Sequence, residues 1–222
     1  MRSKEIEKYK NKLFLSKRQK EILIGLILGD GHLEKLYTPT LGRLKVEHSY
    51  KQKDYVDWLY REFRNWVRSK PKVKRKEVWN KIYQNYGFIT YGHRLLGELQ
   101  EKFYRKRKKI IPNDLEKNIT SLGLAIWFMD DGSIKSTRHK GVFLNTQGFK
   151  KNEIKKLQKM LRNKFGIKST TRDQTRNQKT KKQIYLGGKS GEKFIALIKP
   201  YVISSMRYKI PKVLRLTKLP KR

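Results

Sequence analysis

The chain has 222 residues, with 56 Lys and Arg against 19 Asp and Glu, for a formal net charge of +37. Such an excess asks for a polyanionic partner, while 36% hydrophobic residues, with 12 Tyr, 9 Phe and 4 Trp, exclude disorder. The absence of Cys excludes disulfides, zinc fingers and thiol nucleophiles.

The length allows one domain or two halves of about 100 residues each. Residues 1–15 read as a short Lys-rich arm with scattered apolar positions. Ser16 and Gln19 have capping-box spacing, so a helix starts at Ser16. It is apolar nearly all round over residues 22–28 and therefore buried on most sides, and Gly31 supplies its stop. That run is too short to cross a bilayer, and no signal peptide precedes it; the expectation is a soluble intracellular protein. Residues 32–50 read as a strand pair and 51–67 as an amphipathic helix that Pro71 ends, with Trp58, Phe63 and Trp66 expected in the core. A hairpin over 73–91 and a helix carrying Leu95, Leu96, Leu99 and Phe103 close the half.

The order then repeats. A motif helix begins near Thr120 or Ser121, strands fall within 133–147, and a helix runs over about 150–165 with Gly166 as its cap. A hairpin over 167–187 and a helix carrying Phe194, Ile195 and Ile198 follow. This is an α+β chain of two αββαββα copies offset by about 100 residues. The expected division is a basic arm at 1–15, a first half at 16–115 and a second at 116–222.

Within the repeat, residues 23–31 read L-I-G-L-I-L-G-D-G and residues 124–132 read L-A-I-W-F-M-D-D-G. Each run delivers one carboxylate, Asp30 or Asp131, at the end of a buried segment. A Lys follows each acid at nearly the same distance, Lys109 after 79 positions and Lys209 after 78, each just ahead of an Ile-Pro pair. Paired carboxylates suit a divalent-metal site for phosphodiester hydrolysis, in which the metal activates water and neutralises phosphate charge. If the motif helices pack together, Asp30 and Asp131 emerge side by side, and like charges that close call for cations. Lys109 and Lys209 would then polarise water or stabilise the pentacovalent charge. Gly29 and Asp130, one position ahead of each acid, are further metal candidates; Asp130 is a second acidic ligand or, preferably, a polar helix end whose backbone carbonyl could still touch metal. Glu47 and Gln147, 17 and 16 positions after the acids, could order water or be ordinary strand residues. The four histidines, His32, His48, His93 and His139, form no cluster with Asn or Cys.

These stretches resemble the LAGLIDADG homing endonucleases, specifically the single-chain kind with two motifs. Gly25-Leu-Ile-Leu-Gly-Asp30, Trp127-Phe-Met-Asp-Asp-Gly132, Leu144-Asn-Thr-Gln147 and Leu197-Ile-Lys-Pro-Tyr201 are similar to the intron-encoded mitochondrial members. The resemblance spans residues 20–216. It implies a pseudo-twofold pair of halves with the motif helices at their interface and saddle-shaped antiparallel sheets for DNA. It also implies that Asp30 and Asp131 hold Mg²⁺, that Mn²⁺ substitutes, and that Ca²⁺ binds without cleavage. Lys109 and Lys209 match the family's basic active-site positions. Both strands would be cut across the minor groove, leaving short 3′ overhangs. The second motif departs from the first in carrying Ile126 and Asp130 where the first has Gly25 and Gly29.

The strands near 43–50, 72–90, 133–147 and 168–186 carry residue types that read base edges. The candidates are Arg43, Lys45, Lys74, Arg75, Lys76, Arg172, Gln174, Arg176 and Gln183, each equally a phosphate contact or solvated strand residue. The expected partner is double-stranded DNA, with no membrane and no protein partner, and the chain acts as a monomer. Family habit places such a chain in an organelle or a bacterium. The alternative is a non-cleaving relative, an intron RNA maturase or a DNA-binding regulator, although binding alone has no need of both Asp and both Lys. A ribosomal RNA-binding protein would explain the charge but not the repeated Asp-Gly helices.

Overall fold

The structure, a computed structural model, describes residues 4–38, 40–176 and 179–215. Contacts divide the chain into two compact units, Met1–Phe103 and Tyr104–Arg222.

In the first unit, α1 (Lys4–Asn11) buries none of its residues and is tethered through Tyr9, whose hydroxyl donates to the Asn65 carbonyl at 2.7 Å and whose ring meets Tyr91 edge-on. The next helix, α2 (Lys17–Leu28), begins at the expected capping box. The Ser16 hydroxyl accepts from the Gln19 amide and the Gln19 side chain accepts from the Ser16 amide, so two orphan donors of the first turn are satisfied at once. Every residue from Ile22 to Leu28 is buried. Strands β1 (His32–Lys35) and β2 (Gly42–Ser49) follow, then α3 (Lys53–Glu62), β3 (Lys72–Val78), β4 (Lys81–Ile89) and α4 (Arg94–Phe103). The strands form one antiparallel sheet in the order β1-β2-β4-β3. The β3–β4 turn places Trp79 and Asn80 at φ 51° and 58°, the left-handed pair that a two-residue hairpin requires.

The helix expected over 51–67 is shorter than its apolar spacing suggested. Turns of 3₁₀ helix at Tyr50–Gln52 and Arg64–Trp66 flank a ten-residue α3. Phe63 and Trp66 are buried as expected, but Trp58 is only half-buried, stacked parallel to Tyr55 with the Arg18 guanidinium 5.9 Å from its ring centre.

The second unit opens with a small hairpin, β5 (Tyr104–Arg105) and β6 (Lys108–Lys109), turned through Lys106 and Arg107 at φ 45° and 64°. Then come α5 (Leu115–Asn118), α6 (Ser121–Asp131), β7 (Gly132–Ile134), β8 (Val142–Leu144), α7 (Lys151–Phe165), β9 (Thr170–Arg176), β10 (Lys179–Leu186) and α8 (Gly188–Ile198). A 3₁₀ segment at Ser204–Lys209 and a short α9 (Lys212–Arg215) end the described chain. The sheet order, β7-β8-β10-β9, repeats that of the first unit. Gly166 ends α7 in the left-handed conformation, φ 61°, as its position after Phe165 implied. The compact units divide after Phe103, twelve positions ahead of the expected boundary at 115. The physical reason is that Ile111 is held on α7: its amide donates to the Glu153 carboxylate and its carbonyl accepts from Lys156 at 3.1 Å.

The two Asp-Gly endings differ in a way their similar letters conceal. In α6 the helix runs through Asp131, and the Gly132 amide donates back to the Phe128 carbonyl. In α2 the helix stops at Leu28. Gly29 leaves the helical region at ψ −134°, and the Gly31 amide closes instead on the Leu26 carbonyl at 2.8 Å. The cap is thus Gly29 rather than Gly31, and Asp30 stands beyond the helix. Both final glycines still lie tight against their helices. A Cβ at Gly31 would meet Leu26 Cβ at 2.7 Å, and one at Gly132 would overlap the ring and carbonyl of Phe128. Phe128 is fully buried, edge-on to Phe194, and has nowhere to move. Gly132→Ala should therefore cost about 1–3 kcal/mol of stability, read as a lower midpoint in urea with unchanged slope. An unchanged midpoint would contradict the close packing described.

Candidate active site and nucleic-acid interface

The two motif acids present different environments. The Asp30 side chain is 51% exposed, with one carboxylate oxygen 3.8 Å from Nδ1 of His48, whose own side chain is 3% exposed. His48 is held by an edge-on contact with Tyr55, ring centres 5.3 Å apart. It occupies the helix-facing side of β2, in line with buried Leu44 and Val46. The corresponding place after Val142 and Leu144 in the second unit is taken by Thr146, fully buried, whose hydroxyl donates to the Lys182 carbonyl at 3.1 Å.

Asp131 is half-buried at the last position of α6, and its carbonyl accepts from the Asn145 amide at 3.0 Å, which ties the helix end to β8. Asp130 beside it is 8% exposed. The Lys209 ammonium donates to the carbonyls of Met129 and Asp130, the latter at 2.8 Å. A cation so placed satisfies carbonyls that the helix leaves open and complements the negative end of its dipole. Its hydrogen bonds here go to the backbone that carries Asp131, and the Asp130 carbonyl, a candidate metal contact, accepts one of them. Lys109 lies half-buried at the end of β6, paired in register with Tyr104. Gly29 is buried and its amide donates to Gly25.

Glu47 sits on the face of its sheet turned away from the helices, and Gln147 lies in the turn that follows β8. Glu47 accepts from Lys74 and Asn85, each at 3.2 Å, and lies 3.5 Å from Lys45. Burial pushes its carboxyl up, but Lys74, Lys45 and Asn85 together outweigh burial and hold it below the usual carboxylate value. The Gln147 amide reaches Asn145 at 3.4 Å and also contacts Gln174.

Strand register sorts the candidate base readers by face, because successive side chains alternate sides. In the first sheet Arg43, Lys45, Lys74 and Lys76 share the outer face with Glu47, and the Arg43 guanidinium binds Glu34 at 2.6 Å. Arg75 lies on the other face, opposite Gln84. Lys72, Tyr83 and Asn85 share the outer face and were not singled out by sequence. In the second sheet Arg172, Gln174 and Gln183 lie together on the outer face with Lys181 and Tyr185, and Arg172 packs over the Tyr185 ring at 5.4 Å. Arg176 ends β9 by its backbone, and its side chain lies outside the described residues. Each outer face is thus a hydrogen-bonding, largely cationic surface, with Leu44 and Val46 or Leu144 and Ile184 buried behind it.

A family model, the LAGLIDADG DNA endonuclease family, matches residues 20–194. The chain belongs to this family. LAGLIDADG relatives match along most of its length. A protein of Wickerhamomyces canadensis named as a probable intron-encoded endonuclease is 38% identical over 216 residues, covering 94% of this chain and 90% of its own. The cytochrome b mRNA maturase bI2 of Debaryomyces hansenii is 32% identical over 200 residues, covering 88% and 74%. Among solved structures, the homing endonuclease I-WcaI bound to its DNA recognition sequence superposes with a TM-score of 0.86 at 35% identity, covering 98% of this chain and 95% of that one. The α+β architecture and the identification as a DNA endonuclease of the LAGLIDADG family are thereby established. Among the described residues no helix is long and apolar enough to cross a membrane.

His48 is the residue that sequence reasoning missed. The four histidines do not cluster in sequence, yet the partner of His48 is the motif acid. The available signal was a polar residue at a core-facing position of an alternating strand, Leu44-Lys-Val-Glu-His48.

Proposed function

We propose that this chain is a site-specific homing endonuclease that makes a double-strand break in a long DNA target by divalent-metal-dependent hydrolysis, leaving short 3′ overhangs. The observation that carries the reading is the pair of Asp-Gly helix ends, one per unit, in a chain 35% identical to an endonuclease that was solved bound to its recognition sequence. The carboxylates fit a metal: Asp30 offers hard oxygen on a half-exposed side chain. That pattern suits Mg²⁺, which takes one or two carboxylates and completes its shell with water and substrate phosphate. Bound there, the metal would activate water and neutralise phosphate charge.

The chain's own residues then divide the labour. Asp30 and Asp131 would hold the cations, His48 backs Asp30, and Lys209 fixes the end of α6 from which Asp131 projects. Arg172, Gln174 and Gln183 in one sheet, and Arg43, Lys45, Lys74 and Lys76 in the other, face the DNA and read base edges or hold phosphates. Arg75, on the opposite face, is left to phosphate or solvent. The net charge of +37 supports strongly salt-dependent binding. The protein acts as a monomer and is encoded within an intron of an organellar gene.

The test is a cleavage assay on a randomised duplex library with Mg²⁺, Ca²⁺ or EDTA. Cutting at one long sequence with Mg²⁺, and binding without cutting in Ca²⁺, is the expected result. Binding with no cutting in any condition would remove the endonuclease reading. A second reading, assistance to intron RNA splicing, is favoured by the similarity to the cytochrome b mRNA maturase. It is compatible with the first if RNA and DNA use different surfaces.

A further inference from the structure

The basic residues of the second unit do not all lie on its DNA-facing sheet. Helix α7 buries Ile154, Leu157, Met160 and Leu161, and its only acid, Glu153, is buried with them. Among the residues it exposes are Lys151, Lys155, Lys159 and Arg162. Their spacing of four, four and three residues sets them in one stripe along the helix, neighbours about 6 Å apart. None of the four has a carboxylate within ion-pair distance among the described residues. Because the opposite side of α7 packs toward the buried face of the β7-β8-β10-β9 sheet, this stripe points away from Arg172, Gln174 and Gln183.

Beside the stripe lies a cleft of about 280 Å³ between α7 and the segment leading into α5. Pro112, Leu115 and Met160 give it apolar walls, Lys156 and Lys159 stand over it, and its one acid, Glu116, takes a hydrogen bond from Asn163. An apolar slot beside a row of uncompensated cations suits an unstacked base whose neighbouring phosphates run along the row. Regular duplex DNA keeps its bases stacked and offers nothing to such a slot, whereas RNA loops and bulges present splayed bases.

We propose that the exposed face of α7 and the adjoining cleft bind a single-stranded loop of folded RNA, on the side of the second unit opposite to its DNA-reading face. The proposal rests on the second reading above and gives it a surface. Loop RNA and target DNA are then bound together rather than in competition.

The experiment uses the full chain and a pool of RNA hairpins with randomised loops. Wild-type protein is compared with a variant carrying Lys151→Gln, Lys155→Gln, Lys159→Gln and Arg162→Gln. Four lost phosphate contacts on a single strand should flatten the slope of log affinity against log salt by about 3 and weaken binding tenfold or more at moderate salt, as a rough scale. Binding to duplex DNA, measured on the same preparation, should be unchanged and shows that the variant is folded. In parallel, hairpins carrying a photoreactive uridine in the loop should crosslink wild-type protein within residues 111–116 or 151–164, a readout that needs no variant. Crosslinks on β9 or β10 instead, an unaltered RNA slope in the variant, or suppression of the crosslink when random duplex DNA is added before irradiation would each overturn the assignment. Absence of any RNA binding by the wild type would remove the RNA reading itself. DNA cutting, assayed separately, remains the measure of the endonuclease.

Discussion

Asp30→Asn and Asp131→Asn should each leave a protein that binds its DNA target and makes the double-strand break at no more than about a thousandth of the wild-type rate, a loss of about 4 kcal/mol in transition-state stabilisation. Asn keeps the volume and hydrogen-bonding shape of Asp and removes the negative charge, so the change isolates what a cation would feel. Neither substitution threatens the fold. Asp30 is half-exposed beyond the end of α2, and Asn keeps a polar group of the same size beside His48. Asp131 is an acid at a helix C-terminus, a position where negative charge opposes the dipole. Its removal relieves about 0.3–1 kcal/mol of that conflict, so stability should change little while activity falls, as expected of a residue kept for chemistry. Target affinity in Ca²⁺ and cutting in Mg²⁺ are the two measurements. Undiminished cutting by both variants would sink the assignment, and loss of binding in parallel with cutting would make the acids structural.

Much of this could be read from the letters because it rests on local physics. The Ser16–Gln19 capping box, the stop at Gly166, the two hairpins of each unit and the repeat of their order all follow from cap chemistry, turn conformation and apolar period. The motif acids were legible because each ends an apolar run that nothing else in the chain resembles. What escaped depends on register and on contacts between residues far apart in sequence. Arg75 and its neighbours Lys74 and Lys76 look alike as letters, yet pairing with β4 turns Arg75 to the other face. His48 is 18 positions from Asp30, and no cluster of like residues marks the contact. Trp58, expected in the core, instead stacks on Tyr55 under Arg18, because the buried stripe of α3 is Tyr55, Val56 and Leu59 and leaves Trp58 at its edge. The end of α2 was misjudged for a similar reason: two glycines two positions apart both permit a stop, and only the backbone reveals that Gly29 takes it.

Lys209 carries the second large effect, and its geometry changes what that effect should look like. From sequence, the Lys that follows each motif is a charge beside the reaction. In the structure its ammonium donates to the carbonyls of Met129 and Asp130, the two residues just ahead of Asp131. Lys209→Met keeps the aliphatic stem and removes the donor, leaving both carbonyls at the end of α6 without it. Hydrogen bonds from a charged donor are worth about 1.5–3 kcal/mol, so stability should fall by roughly that amount. Cutting should fall further, by about a hundredfold, because Asp131 would no longer project from a fixed helix end and a misplacement on the order of 1 Å costs that much. The loss should be confined to one strand, since the α2 ending has its own closure through Gly29 and Gly31. The product is then a nicked duplex, and end-labelling each strand separately reads which one stays whole. Lys209→Arg sharpens the comparison: it restores a charged donor to the carbonyls, so a positioning role predicts recovery of most of the lost rate and stability together. If Lys209→Met cut at the wild-type rate on both strands, the helix-end contact would be a matter of stability alone. If Lys209→Arg recovered stability but no activity, the ammonium would act on the reacting phosphate itself, and the position the structure gives it would be only its resting place.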